Sequence, residues 1–201
     1  MLTVICIMAL ASASSEPRVF TLNTSENVWD IAVSDMNLDG NKDILLLTND
    51  ETVFPMQKKI ALFMSDGDCA FPGEPDYVLH LPEETGAAMC AEVDGDAPAE
   101  IVALHTSGAH IFKFTGSGYE ETGTVSFHSL LPSFSREPVF MQQGAKDLQK
   151  DGIDEWLIPT GAGLDVRNQQ GLVATISCDV VSEMRRGDST VIVHRLPDYK
   201  T

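Results

Sequence analysis

Positive charge is scarce in this sequence. Lys and Arg number 13 against 30 Asp and Glu, and the formal net charge is −17. Phosphate contacts need Lys and Arg, so nucleic acid is excluded as a partner. Cysteine is rare as well: Cys6, Cys69, Cys90 and Cys178 are the full set, with no C-x-x-C pair, which argues against a zinc site. The apolar run at residues 2–10 is too short to span a bilayer, and no later stretch is a transmembrane candidate. There is no H-E-x-x-H, no G-x-S-x-G elbow, no P-loop and no G-x-G-x-x-G after a strand. No motif therefore names a catalytic nucleophile or base. No convincing amphipathic helix is present either.

Hydrophobic residues make up 43% of the 201, enough to bury a core. The apolar residues 2–10 followed by Ala11-Ser12-Ala13 read as a cleaved secretory signal peptide over 1–13, although no Lys or Arg precedes Arg18. Export predicts a secreted or cell-surface protein. Cys6 leaves with the peptide, and one disulfide among Cys69, Cys90 and Cys178 is expected at most, with no basis for choosing the pair. Asn23-Thr24-Ser25 is an N-glycosylation sequon.

The chain is organised around Asp35-Met36-Asn37-Leu38-Asp39-Gly40-Asn41-Lys42-Asp43. Asp35, Asn37, Asp39 and Asp43 hold positions one, three, five and nine, and Gly40 permits a sharp turn at position six. A hard cation such as Ca²⁺ takes six to eight oxygens from such side chains, carbonyls and water. The pattern recurs. Asp43, Glu100 and Glu155 each precede an apolar run, Ile44 to Leu47, Ile101 to Leu104 and Trp156 to Ile158. Counting back eight residues gives Asp35, Glu92 and Asp147, so the loops repeat at 57 and then 55 residues. A period of this size points to a solenoid or a propeller.

Each unit reads as four short strands joined by turns. A lead-in precedes the loop (Trp29 to Val33, Ala88 to Ala91, Val139 to Met141), and a buried strand follows it. Two more strands close the unit at Ile60–Met64 and Tyr77–Leu81, Ala109–Phe114 and Thr124–His128, or Leu164–Arg167 and Leu172–Ser177. The expectation is an all-β chain of antiparallel four-stranded blades. A lead-in strand falls at 14–26, units at 27–82, 83–137 and 138–178, and a partial unit or tail at 179–201. Three units and a remainder do not close a ring, because propellers need four to eight blades. Either the chain is a fragment with further blades, or it is an open array with exposed edges, or it closes with a partner chain.

An EF-hand is excluded. It needs a bidentate Glu at position twelve and flanking helices, whereas position twelve is Leu46, Ala103 or Ile158 and the flanks read as strands. Asp35 to Asp43 followed by Ile44, recurring at this period over residues 27–177, resembles the FG-GAP or VCBS repeat of integrin α heads and many secreted microbial proteins. The resemblance implies Ca²⁺ held by side chains at positions one, three, five and nine and by the carbonyl at seven. Carried across, the first loop offers Asp35, Asn37, Asp39 and Asp43, with Asn41 through its backbone. The third offers Asp147, Gln149, Asp151, Gly152 and Glu155, with Ile153 through its backbone. The second offers Glu92, Asp94, Asp96 and Glu100, with Pro98 at position seven, and departs most, since Ala97 replaces the turn glycine. Three ions would offset about six of the negative charges.

The resemblance implies a non-enzymatic, secreted, Ca²⁺-stabilised module that binds an extracellular protein or glycan. The alternative is a propeller-type polysaccharide lyase or hydrolase. Arg186-Gly187-Asp188 reads as a solvated turn with a chance match to the integrin-recognised tripeptide. Trp29 and Trp156 read as blade core. His80, His105, His110, His128 and His194 show no ligand spacing, and His105 and His110 read as surface or interstrand residues flanking a turn.

Overall fold

The computed structural model describes residues 21–24, 26–50, 52–53, 56–67, 70–96 and 98–177 in full, and the backbone alone of 2–8, 18–20, 179–186 and 189–195. Ala11-Ser12-Ala13, Ser25, Cys69, Cys178, Gly187 and Asp188 lie outside the described residues, and so do the expectations of cleavage, of a disulfide and of a solvated turn at Arg186-Gly187-Asp188 that rest on them. Among the described residues every regular element is a strand, as the all-β reading expects.

Three antiparallel sheets follow one another. The first orders β3 (Asn27–Ser34), β4 (Asp43–Asp50), β5 (Gln57–Phe63) and β6 (Tyr77–His80) as neighbours in sequence. The second does the same with β7 (Ala87–Ala91), β8 (Glu100–His105), β9 (Gly108–Phe114) and β10 (Tyr119–Ser126). The third uses β12 (Ala145–Lys146), β13 (Glu155–Thr160), β14 (Gly163–Asn168) and β15 (Gly171–Ser177). Before them β1 (Leu2–Met8) pairs with β2 (Arg18–Thr24), and after them β16 (Asp179–Arg186) pairs with β17 (Ser189–Arg195). No sheet is closed on itself.

The continuous apolar runs after the acidic loops become the second strands because those strands are covered on both faces. Ile44, Leu45, Leu46 and Leu47 are all 0% exposed. Leu45 and Leu47 pack with Ile101, Ala103 and Phe112 of the second sheet, while Ile44 and Leu46 pack on the other side with Leu22 and Phe71. In β8 the alternation repeats: Ile101 and Ala103 face the first sheet, and Val102 and Leu104 join Trp156 and Ile158 of the third. The second sheet thus presents one face to the first sheet and the opposite face to the third. Position two of the acidic loops obeys the same rule. Met36 is buried in the cluster between sheets one and two, and Val93 in the cluster between two and three. Leu148, its counterpart in the third sheet, is 49% exposed. A buried side chain of this size contributes about 1.5–3 kcal/mol, so these two clusters supply most of the driving force for stacking.

One strand departs from the sequence reading. Val139 to Met141 is expected to lead into the third unit, but β11 (Val139–Phe140) pairs in parallel with β7 of the second sheet, Val139 opposite Ala87. Its backbone is already engaged there: the Phe140 N–H donates to Asp30 Oδ2 at 2.7 Å and the Met141 N–H to the Ala88 carbonyl at 2.8 Å. Phe140 itself is buried between sheets one and two. The third sheet instead begins at Ala145, after a turn in which the Gly144 N–H donates to the Met141 carbonyl.

Candidate metal loops

All three acidic loops connect the first and second strands of their sheets, and position nine opens the second strand every time, as Asp43, Glu100 and Glu155. These three carboxyl groups are 0%, 1% and 0% exposed. Each accepts the backbone N–H of its own position two: Met36 to Asp43 Oδ2 at 2.7 Å, Val93 to Glu100 Oε2 at 2.9 Å, Leu148 to Glu155 Oε2 at 2.9 Å. One bond therefore ties the apolar anchor of the loop to the strand it enters. Burial pushes the Asp43 and Glu100 carboxyls above their usual range, against the pull of those N–H donors.

Position one closes the turn. Asp35 Oδ2 accepts the Gly40 N–H at 3.0 Å and Asp147 Oδ2 the Gly152 N–H at 3.1 Å, both glycines lying at φ 87. The second loop solves the turn differently. Glu92 Oε1 accepts the N–H of Gly95 at 3.0 Å, and Gly95 sits at position four with φ 79. Position four is left-handed in the other loops too, at Leu38 and Lys150, both with φ 60. The first and third loops thus each hold two left-handed residues, with glycine at only one of them. Leu38 is 55% exposed, so its side chain has little packing to lose. Leu38→Asn should stabilise the fold by about 0.5–1 kcal/mol in urea titrations, because Asn tolerates this conformation better. A loss of stability would contradict it.

The ligand sets differ between loops. Oxygens of Glu92, Asp94 and Glu100 all lie within 4.8 Å of one another. Among the described residues, those of Asp35, Asp39 and Asp43 do not gather so closely, nor do those of Asp147, Asp151 and Glu155. The tightest cluster therefore falls in the loop that fits the sequence pattern worst. Lys113 accounts for this. Its Nζ lies 2.6 Å from Asp94 Oδ2 and 3.4 Å from Glu100 Oε1. The bond to Asp94 raises the Lys113 ammonium above its usual range. Strand register explains why only this loop has a cation. Ile101 pairs with Phe112, which puts Lys113 opposite Glu100. The same step puts Met64 opposite Asp43 and Asn168 opposite Glu155. Among the described residues no ion pair reaches the first or third loop.

Without a nearby ammonium those two loops turn to other donors. In the third, Gln149 Nε2 donates to Glu155 Oε1 at 2.8 Å and the Ile153 N–H to Asp151 Oδ1 at 3.1 Å. In the first, Asn37 Nδ2 donates to Asp39 Oδ2 at 3.0 Å and the Asn41 N–H to Asp39 Oδ1 at 2.8 Å, which holds the exposed Asp39 carboxyl below its usual range. Asp43 Oδ1 takes the Ser65 N–H at 2.9 Å. Asp35 Oδ1 is left buried with no partner. A buried oxygen without a donor costs about 1–3 kcal/mol, more when charged, and a cation would remove that cost. The first loop thus combines an all-oxygen donor set, an orphaned carboxylate oxygen and no counter-charge. Asp96 is exposed and its carboxylate does not join the tight cluster of the second loop, and Pro98 is half-buried.

Neighbouring loops are linked. The Glu92 N–H donates to Asp154 Oδ2 at 2.8 Å, and the Asp154 N–H returns to the Glu92 carbonyl at 2.7 Å. Trp156 is fully buried beside this junction, and Trp29 is half-buried on β3. Cys90 is a free thiol, pushed up to about 12 by burial. No protein-family model matches this chain, and no curated protein or solved structure matches it either.

Proposed function

We propose that this chain is an exported, non-enzymatic recognition module of the FG-GAP or VCBS type, built from propeller blades stapled by Ca²⁺ and displayed to an extracellular protein or glycan. The observation that carries the reading is the repeated wiring of the acidic loops. Three times, at the same place in a four-stranded sheet, a buried position-nine carboxylate ties down a position-two N–H and an acidic residue closes the turn. The directional stacking of the sheets suits blades of a propeller.

The three loops then play different roles. The first holds Ca²⁺ through Asp35, Asn37, Asp39 and Asp43 with the Asn41 carbonyl, because its charges are unneutralised and Asp35 Oδ1 lacks a donor. The second is partly neutralised by Lys113, which pairs with Asp94 and Glu100 in the place of an ion. The third is held by Gln149 and takes Ca²⁺ only by displacing that amide from Glu155. Bound Ca²⁺ supplies charge neutralisation and fixes the loop against the next sheet; no chemical step is assigned to it.

Calorimetric titration with Ca²⁺ tests this assignment, and Lys113→Met gives it a sharper edge. Removing the ammonium leaves Asp94 and Glu100 without their counter-charge beside Glu92, so the variant should lose stability in EDTA and gain about one equivalent of Ca²⁺ over wild type. An unchanged stoichiometry would show that the second loop is not a lysine-filled cation site.

A further inference from the structure

We propose that Glu84, His105 and His110 form a site for a divalent transition metal of the Zn²⁺ class, separate from the acidic loops. His105 ends β8 and His110 lies on β9, across the turn at Thr106 to Gly108. Glu84 comes from the connection between β6 and β7. Donor atoms of all three lie within 4.8 Å of one another. His110 Nε2 is 3.3 Å from Glu84 Oε1, already close to the roughly 3–3.5 Å between ligands sharing one tetrahedral Zn²⁺. The two imidazole rings lie with centroids 5.4 Å apart, tilted by 37° to one another.

The surroundings match what such a metal requires. His110 Nδ1 lies 3.0 Å from Glu121 Oε1. A carboxylate on the far nitrogen fixes the tautomer and orientation of a metal-ligating imidazole. The segment bearing Glu84 is braced by the buried ammonium of Lys58, which donates to the Glu83 carbonyl at 2.6 Å and to the Thr85 carbonyl. The three side chains sit in intermediate burial, open enough for an ion to enter. His105 Nδ1 accepts the Ser107 N–H over a long 3.3 Å, a bond the ring gives up cheaply on ligation. Two imidazoles and one carboxylate suit Zn²⁺, Co²⁺, Ni²⁺ or Cu²⁺ and disfavour Ca²⁺, which prefers oxygen alone. Glu100 and His105 open and close the same strand, about 16 Å apart at the usual rise, so the two classes of site do not share ligands. Three protein ligands leave a fourth position for water or a ligand group. The metal would tie the connection between sheets one and two to the second sheet.

The test is a Co²⁺ titration of the tag-free chain kept in excess Ca²⁺, so that the acidic loops are satisfied or irrelevant. The expected result is a saturable visible absorption band at one equivalent, bleached by Zn²⁺. His105→Ala and His110→Ala should weaken binding at least 100-fold, and Glu121→Gln about 10–100-fold. Imidazole NMR of the unmodified chain guards against misfolded variants: Zn²⁺ should shift His105 and His110 and leave His80 and His128 in place. No saturable band, or a band with no shift of His105 and His110, overturns the site and leaves a histidine that is merely salt-bridged. Loss of Ca²⁺ binding by the acidic loops would not affect this result.

Discussion

Millimolar Ca²⁺ should raise the melting temperature of the purified chain by about 5–10 °C, and EDTA should reverse the shift. The size follows from linkage: a ligand at a hundred times its dissociation constant stabilises by about 2.7 kcal/mol. Each kcal/mol moves the midpoint of a chain this long by about 2–4 °C. The control is Asp35→Asn. The amide keeps the volume and the oxygen that receives the Gly40 N–H, but removes the charge of the side chain whose other oxygen is orphaned. The variant should melt within about 2 °C of wild type in EDTA and respond to Ca²⁺ by less than half as much. Equal melting of wild type with and without Ca²⁺ would remove the metal from the account, and an Asp35→Asn protein that still responds fully would move it to another loop.

Trp156→Ala should cost about 3–5 kcal/mol, the usual range for truncating a large buried aromatic. Trp156 is 0% exposed and packs among Met89, Val102, Leu104 and Ile111, so its loss empties the contact between sheets two and three. Its Nε1–H is buried without an acceptor, an arrangement that charges the native state about 1–3 kcal/mol. Trp156→Phe removes that N–H and keeps much of the ring, so it should cost far less, under about 2 kcal/mol. Chemical denaturation of both variants decides the matter. Similar large losses from both would mean that the indole N–H has a partner and that the junction depends on it.

The acidic loops were legible because their signal is local. Asp43, Glu100 and Glu155 stand directly before apolar runs, and a carboxylate next to Ile44 or Ile101 can only mark a strand entering the core. The same runs made the second strands plain. Signals spread over distant residues did not show. β11 has two residues and pairs in parallel with a strand some fifty residues earlier, so no periodicity could reveal it. Lys113 meets Asp94 from two strands away, and only the register of β8 with β9 brings it there. Position four looked unconstrained because Leu38 and Lys150 occupy a conformation their side chains do not advertise; Gly95 was the one visible trace of it. His105 and His110 were read as residues flanking a turn. Their relation to Glu84 arises from how the connection between sheets folds back, which spacing along the chain cannot encode.

The stacking of the sheets leaves the first and third with unlike faces turned away from the second. On the first, Leu22 and Phe71 already cover Ile44 and Leu46. On the face of the third sheet opposite Trp156 and Ile158, Leu157, Val166 and Ala174 line up across three strands beside Pro159, Leu164 and Ile176, and Leu148 is 49% exposed. A head-to-tail contact between copies would set the apolar face of the third sheet against a first-sheet face that Leu22 and Phe71 already cover, which disfavours growth through these two surfaces.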